Sequence, residues 1–571
     1  MNHLSILAAA LLAPAMLGAQ VQQAPVSIVP MPETTLPLKH APQPTTPAIT
    51  PQDLMTRLYI FADDSMQGRE AGTIGNVKGT DYIAAELKRI GLTPAGENGT
   101  YFQTLPFMNR EIASDSRLVV AGSPLTLGTD WAVMGASTLT QSDIPVVYGG
   151  TLSQTTIPPS ETVGKLVIYS IPEGPSGQAA LSALGRAAPE AAAVGVVGLD
   201  QFIGYLMRPA SFVDDPARVP PDAPVALLIT REGASQIFGR PLESVGPGTT
   251  AGAATVDVRM SVEPVPFPAR NVVAILPGSD PAVAGQYVAI GAHNDHVGFD
   301  NNPVDHDSLR IFNHIVRPMG ADDGGNRASP EQQEEVNRQL AEWRAAHPGT
   351  QRADSIFNGA DDDGSGSMTV LEIAESLANA PEKPRRSILF VWHVGEEKGL
   401  LGSAYFTDNP TVPRDSIVAQ INMDMVGRGN AWDVTGRDKD GQILRGNPYY
   451  LQLVGSRRLS TELGNLVETV NTEAGLGFDF DYSIDTNGHP SNIYCRSDHW
   501  EYARWGIPVV FLTTGLHSDY HQVTDEPQYI DYDRMAHVSH LVEALATRVG
   551  NLDHRIVVDG QKPDPTGACR Q

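Results

Sequence analysis

The chain has 571 residues, 41% of them hydrophobic and 19% charged, enough for two or three domains with ordinary globular cores. Its formal net charge of -26 argues against nucleic acid or an anionic membrane surface as the main partner. Only two cysteines are present, Cys495 and Cys569; in an oxidising compartment they could pair and tie down the tail, or they could be two unrelated thiols.

Residues 1–19 carry an apolar core running into small residues, with a cleavage point after Ala19. This pattern predicts a secretory signal peptide and a secreted or periplasmic mature chain, with an uncleaved anchor as the other reading. The run is short for a membrane span, and no other candidate span follows, so no membrane span is expected after cleavage. Residues 20–50 are rich in Pro, Thr and Gln and predict an extended or disordered linker.

Residues 51–123 begin with helical periodicity carried by Leu54, Leu58, Ile60 and Phe61. A second helix is expected over 76–90, stopped by Gly91. The segment 124–263 has a different texture. Short β-rich runs at 144–147, 165–169, 193–198 and 226–229 surround an Ala-rich helical stretch at 177–193. No ligand-type His, Asp or Glu cluster there, so it reads as an inserted α+β module without its own chemistry.

Over 264–555 strands alternate with helices, which predicts an α/β architecture around a mainly parallel sheet with helices on both faces. The expected strands are 271–276, 287–291, 388–392, 418–423 and 508–512. A polar insertion at 300–355, with a helix expected over 329–346, is too long for an ordinary connection and predicts a lid, a rim or a contact surface. Its acidic residues Asp300, Asp305, Asp307, Asp322 and Asp323 read as a solvated loop before a calcium site. A Gly- and Asp-rich excursion occupies 427–447, and a tail follows from 556 to 571.

In such sheets, chemistry sits at the carboxyl ends of the strands. One strand runs into His293 and Asp295, the next into Glu396 and Glu397, another into Asp424, and the last into a loop with Tyr520 and His521. Asp362 lies in NGADDDGSGS, just before a helical run. Each has a plain structural explanation alone, such as a helix cap. Together, two His and three carboxylates at equivalent places predict a two-metal site, and imidazole with carboxylate suits zinc. Asp295 is expected to accept from the His293 imidazole and fix the ring. Of the adjacent pair, Glu397 reads as the ligand and Glu396 as the base.

The segments GAHNDH, NGADDDGSGS, GEEKGLLGS, NMDMVG, RSDHWEYARWGIPVVF and DYHQVTDE occur in one order. This ordered set resembles the co-catalytic zinc aminopeptidase family, metallopeptidase family twenty-eight, which also contains glutamate carboxypeptidases, glutaminyl cyclases and the transferrin receptor. The opening FADDSMQGREAGTIGNVKGTDYIAAELKRIGLTPAG is similar too, and the module at 124–263 resembles a protease-associated domain. The resemblance implies a three-layer zinc exopeptidase fold binding two zinc ions per chain. By matching motif, His293 and Asp424 would hold one ion, Glu397 and His521 the other, with Asp362 bridging and Glu396 as base. Asp361 and Asp363 are the neighbouring alternatives for the bridge, and GADDGG at 320–325 is a second copy of the motif. Tyr520 matches a position that steadies an oxyanion in some relatives. Asp498 and His499 match a recurrent segment with a packing or supporting role. The implied activity is an aminopeptidase acting on peptide substrates. A carboxypeptidase or a glutaminyl cyclase on the same fold, or a receptor-like binding protein without chemistry, are the alternatives. None of these readings sets an oligomeric state.

Overall fold

The computed structural model describes residues 36–172, 184–214, 224–317, 320, 327–349, 351–430 and 433–571. The signal peptide, most of the Pro/Thr-rich segment, and the Asp322–Asp323 copy of the acidic motif lie outside the described residues. Among the described residues no helix is long and apolar enough to cross a membrane.

Two compact units emerge. One is the segment Pro106–Val265. It contains an eight-stranded sheet, in which Leu139–Thr151, Leu166–Ser170, Ala193–Val197 and Val225–Ile229 are successive parallel neighbours. Its core is built on Leu118, Trp131, Ile144, Leu166, Ile168 and Leu227, all fully or nearly buried. The unit begins earlier than the change in sequence texture suggests. The reason is Phe107–Ile112, which pairs antiparallel with both Ala210–Val213 and Met260–Pro264 and so closes the segment on itself. Of the Ala-rich stretch at 177–193, residues 177–183 lie outside the described residues, and helix covers only Leu184–Ala187 of the rest.

The other unit takes Ala24–Leu105 and Pro266–Gln571. It begins with α1 (Pro51–Phe61), α2 (Ile74–Ile90) and the short strands β1 (Thr93–Pro94) and β2 (Phe102–Thr104). After the first unit come β3 (Arg270–Leu276) and β4 (Tyr287–His293). The insertion supplies β5 (Phe299–Asp305), α3 (His306–Val316), α4 (Pro330–Ala346) and β6 (Ala353–Ile356). Then follow α5 (Gly366–Asn379), β7 (Ser387–His393), α6 (Leu401–Asp408), β8 (Ile417–Met423), β9 (Tyr450–Val454), α7 (Thr461–Glu473), β10 (Asp479–Asp481), α8 (His499–Ala503), β11 (Val509–Thr513) and α9 (Tyr532–Asn551).

Nine strands form one mixed sheet in the order β1-β3-β7-β4-β8-β11-β9-β10, with β2 also pairing β3. The centre, β7-β4-β8-β11, is parallel throughout. Continuous apolar runs form these strands because both faces are covered. In β7, Ile388, Phe390 and Trp392 point to the large core shared with α1, α2, α5 and α9. Leu389 and Val391 point to the opposite core, with Phe406 of α6 and Tyr502 of α8. The result is the three-layer α/β sandwich expected from the alternation of elements.

Residues 36–50 contain no helix or strand, yet they are docked onto this unit. Ile49 is buried, the Thr46 hydroxyl donates to Asp53 at 2.8 Å, and Thr45 donates to Glu375 of α5 at 2.8 Å. Cys495 and Cys569 form a disulfide with their Cα atoms 5.7 Å apart.

Candidate metal centre

The parallel centre of the sheet places four strand ends along one edge, and each runs into a polar group. His293 ends β4, Glu396 and Glu397 follow β7, Asp424 follows β8, and the loop after β11 carries Tyr520 and His521. Asp362 enters from the turn preceding α5. Its two carboxylate oxygens face different partners. Oδ1 lies 3.1 Å from His293 Nε2, and Oδ2 lies 3.1 Å from His521 Nε2. Asp424 Oδ1 completes the first side, 3.6 Å from His293 Nε2. Glu397 Oε2 completes the second, 2.9 Å from His521 Nε2.

Asp361 and Asp363 are occupied otherwise. Asp361 Oδ1 accepts the Gly427 N–H at 2.7 Å, and its Oδ2 faces His517 Nε2 at 3.2 Å. Asp363 lies close to His293 and Asp424, but it takes the backbone N–H groups of His293, Gly366 and Met425. Both thus hold loops together around Asp362.

Asp295 differs from expectation. Its backbone carbonyl, and not its carboxylate, lies 3.1 Å from His293 Nδ1, and the nearer carboxylate oxygen is 3.8 Å away. That oxygen instead accepts the backbone N–H groups of Gly395 and Glu396, at 2.8 and 3.2 Å. The carboxylate therefore holds the turn that presents Glu396 and Glu397. A turn with free N–H groups competes for the same lone pairs, and side-chain alternation along a strand does not reveal it.

The electrostatics follow from burial and charge. Burial works against a charged His293, but the Asp424 and Asp362 carboxylates outweigh it and hold the imidazole well above its ordinary range. His521 is likewise raised to about 10, where burial is outweighed by Glu397 and Asp362. Burial would raise Asp362, but His293 and His521 pull it well below the usual carboxylate range. Glu397 falls to about 2, with burial overcome by His521 and His296. Glu396 goes the other way. Burial, reinforced by the charges of Asp424 and Glu397, pushes it well above the usual range. Two adjacent glutamates thus sit at opposite extremes: the histidines keep the Glu397 carboxyl charged, while burial and like charges favour the protonated form of Glu396.

Three supporting residues escape a sequence reading. His296 Nδ1 lies 2.8 Å from Glu397 Oε1 and its ring stands edge-on to His521, with centroids 5.4 Å apart; the second His of GAHNDH was its only signal. Ser497 donates to Asp424 Oδ2 at 2.8 Å. Arg69, fully buried in the N-terminal segment, donates to the carbonyls of Asn358 and Gly359 and so holds the turn leading to Asp362. Asp498 and His499 do not join the cluster. Burial raises Asp498 to about 7, and His499 stacks on Phe511 with centroids 4.6 Å apart.

A metal pair fits this donor set. His293 Nε2, His521 Nε2, Asp362 Oδ2, Glu397 Oε1 and Asp424 Oδ1 are all buried and lack a partner in hydrogen-bond geometry. Buried polar atoms are normally satisfied, so this many converging on one place asks for cations. Imidazole nitrogen and carboxylate oxygen are the donors zinc takes. Beside the cluster a cleft of about 590 Å³ opens, with Glu396, Asp424 and Tyr520 at its polar end and Met425, Ile484, Ile493, Phe511 and Leu516 along its apolar wall.

Residues 342–546 match the model of peptidase family M28. That span holds Asp362, Glu396, Glu397, Asp424 and His521. A probable leucine aminopeptidase 1 of Trichophyton verrucosum is 27% identical over 200 residues, covering 34% of this chain and 48% of the relative. Leupeptin-inactivating enzyme 1 of Streptomyces exfoliatus is 28% identical over 197 residues, covering 33% of this chain and 38% of that protein. The chain thus spans about half the length, or less, of the curated relatives it matches. An aminopeptidase from Aneurinibacillus superposes with a TM-score of 0.48 at 16% identity, over 90% of this chain and 97% of that one. With the family match lying across the helices and strand ends that carry these carboxylates, residues 342–546 of the chain belong to peptidase family M28.

Proposed function

We propose that the protein is a secreted or periplasmic di-zinc exopeptidase, an aminopeptidase that removes N-terminal residues from peptides. The observation that carries this reading is Asp362, whose two oxygens face two different histidines, each with its own second carboxylate. His293 and Asp424 would hold one ion, Glu397 and His521 the other, and Asp362 both. Zinc held there supplies Lewis-acid charge that lowers the pKa of water and polarises a carbonyl. Glu396 takes the proton of the attacking water and returns it to the leaving amine, a role its raised pKa suits. The Tyr520 hydroxyl, held protonated by burial and by the charge of Asp362, donates to the developing oxyanion. Asp295 keeps Glu396 in place through its two backbone contacts. The apolar wall takes the side chain of the residue being released. The names of the curated relatives, leucine aminopeptidases among them, support an amine-end preference.

The test is hydrolysis of free, N-blocked and C-blocked dipeptides by the purified chain, with zinc counted in the same sample. Cleavage that needs a free amine, at about two zincs per chain, is expected. Cleavage of N-blocked substrates that needs a free carboxylate would move the protein to the carboxypeptidase branch. A chain without zinc would remove the reading altogether.

A further inference from the structure

The insertion between β4 and α5 bears on the loop that carries Tyr520 and His521. β5 and β6 pair antiparallel at its base, and α3 lays one side against residues 517–524. Arg310 Nη1 reaches Asp519 Oδ2 at 3.5 Å, an oxygen that Arg428 also approaches at 3.1 Å. The other Asp519 oxygen accepts the Thr524 hydroxyl at 2.7 Å, and Asn313 Nδ2 donates to that same hydroxyl at 3.4 Å. Arg317 Nη1 donates to the Ser518 carbonyl at 3.3 Å, and its Nη2 to the Gly320 carbonyl at 3.3 Å. At Gly320 the two backbones touch, since a Cβ there would stand 2.2 Å from the His517 carbonyl oxygen.

The far end of the loop is held in the same way. Glu526 meets His306 Nε2 at 3.3 Å and also takes Arg352, which pairs with Asp354 at 3.0 Å. His306, Asp354 and Glu526 have the donor types of a third metal site. The Arg352 guanidinium already pairs with both carboxylates and His306 with Glu526, so this is an ion-pair network. Tyr529 lies under the Arg310 guanidinium, 3.2 Å from its ring centroid, and stacks with His306.

Between these two grips His521 has φ of +55°, a left-handed conformation that a non-glycine residue keeps only when its surroundings hold it there. The same loop reaches back through Asp525, which accepts the backbone N–H groups of Asp361 and Asp362. Holding the loop therefore holds both the His521 ring and the Asp362 carboxylate. We propose that α3, with the β5–β6 pair at its base, is a clamp that positions His521, with Arg310, Asn313 and Arg317 as its positioning residues. The inference rests on the two-metal reading of the site.

The test uses the full chain and its Arg310→Ala, Arg310→Lys and Asn313→Ala variants. Zinc affinities are read by chelator competition, kcat and KM on a dipeptide, and Tm on the zinc-depleted chain. Arg310→Ala is expected to weaken the ion held by His521 by about 10–100-fold, the range for groups that orient a ligand, and the other ion, which shares only Asp362 with it, by clearly less. Its kcat falls with little change in KM, the zinc-depleted Tm hardly moves, and Arg310→Lys recovers most of the loss. Should Arg310→Ala fail to fold, Asn313→Ala is judged by the same split between the two ions. Unchanged affinities in all variants overturn the clamp alone, and so does a parallel loss of both ions with a fall in Tm. A parent chain that binds no zinc overturns the two-metal reading and the clamp with it.

Discussion

Asp525 holds Asp362 by its backbone: Oδ2 accepts the Asp362 N–H at 3.1 Å, while both carboxylate oxygens accept the Asp361 N–H at 3.0 Å. The residue that faces both histidines is therefore fixed at its own peptide group by the loop bearing one of them. An amide at position 525 keeps one acceptor oxygen and turns an NH₂ toward these donors. Asp525→Asn is expected to weaken zinc binding by about 10–100-fold with the fold intact. Chelator competition beside a circular dichroism spectrum checks it, and unaltered affinity would show that the turn is held without Asp525.

Glu396 and Glu397 are neighbours with opposite environments, so their substitutions should separate. Glu396→Gln keeps the shape of the site and the facing atoms of Asp362, Glu397 and His521. It should lower kcat by about 10²–10⁴-fold while the zinc content stays at the parent level. Glu397→Gln should instead lose metal. Equal zinc loss in the two variants would mean that Glu396 is a ligand and not the proton carrier.

Much of this arrangement was readable in the residue order. The strands were legible because both faces of the central sheet are buried, so β4, β7, β8 and β11 are continuous apolar runs ending at polar groups. The choice of Asp362 within three consecutive aspartates followed from the motif it matches, and the structure turns that residue toward His293 and His521. Other features left no local trace. The Asp295 carboxylate serves backbone N–H groups a hundred residues away in the chain, and a backbone donor has no sequence signature. Asp525 likewise serves backbone N–H groups, Arg69 serves distant backbone carbonyls, and Ser497 serves the Asp424 carboxylate far away in the chain. The insertion read as a lid, a rim or a contact surface from its length, and nothing in the residue order says that Arg310 meets Asp519.

The disulfide joins the tail to a wall of the cleft. Cys495 follows Ile493, which lines the cleft, and Gln571 adds bonds on either side. Its Oε1 accepts the Tyr494 N–H at 2.9 Å, its backbone carbonyl accepts the Gly488 N–H at 3.0 Å, and its side-chain amide donates to the Ile484 carbonyl. Closing a loop of 74 residues contributes about 2–5 kcal/mol. Cys569→Ser should lower thermal stability accordingly and raise KM more than it lowers kcat, since the wall and not the metal cluster loses its tether. A change confined to kcat would place the tail's influence elsewhere.

A buried network beneath α1 gives the fold its own pH dependence, away from the metal cluster. Arg57 is fully buried and donates to Glu372 at 2.8 Å and to Glu86 at 3.0 Å, while also pairing with Glu375. Burial raises Glu372 from 4.5 to about 7, against the pull of Arg57. The folded chain then binds a proton at Glu372 that the unfolded chain has released between these two values. This contribution favours the fold fully below about pH 4.5 and is lost as pH rises through about 7, by an amount on the order of 3 kcal/mol. Glu372→Gln cannot titrate, so the stability difference between parent and variant should shift in the variant's favour as pH climbs from 4.5 to 7. Zinc-depleted samples of both, melted across that range, check it. A difference that stays flat with pH would mean that Arg57 keeps Glu372 ionised throughout, and that the carboxylate's burial is fully compensated.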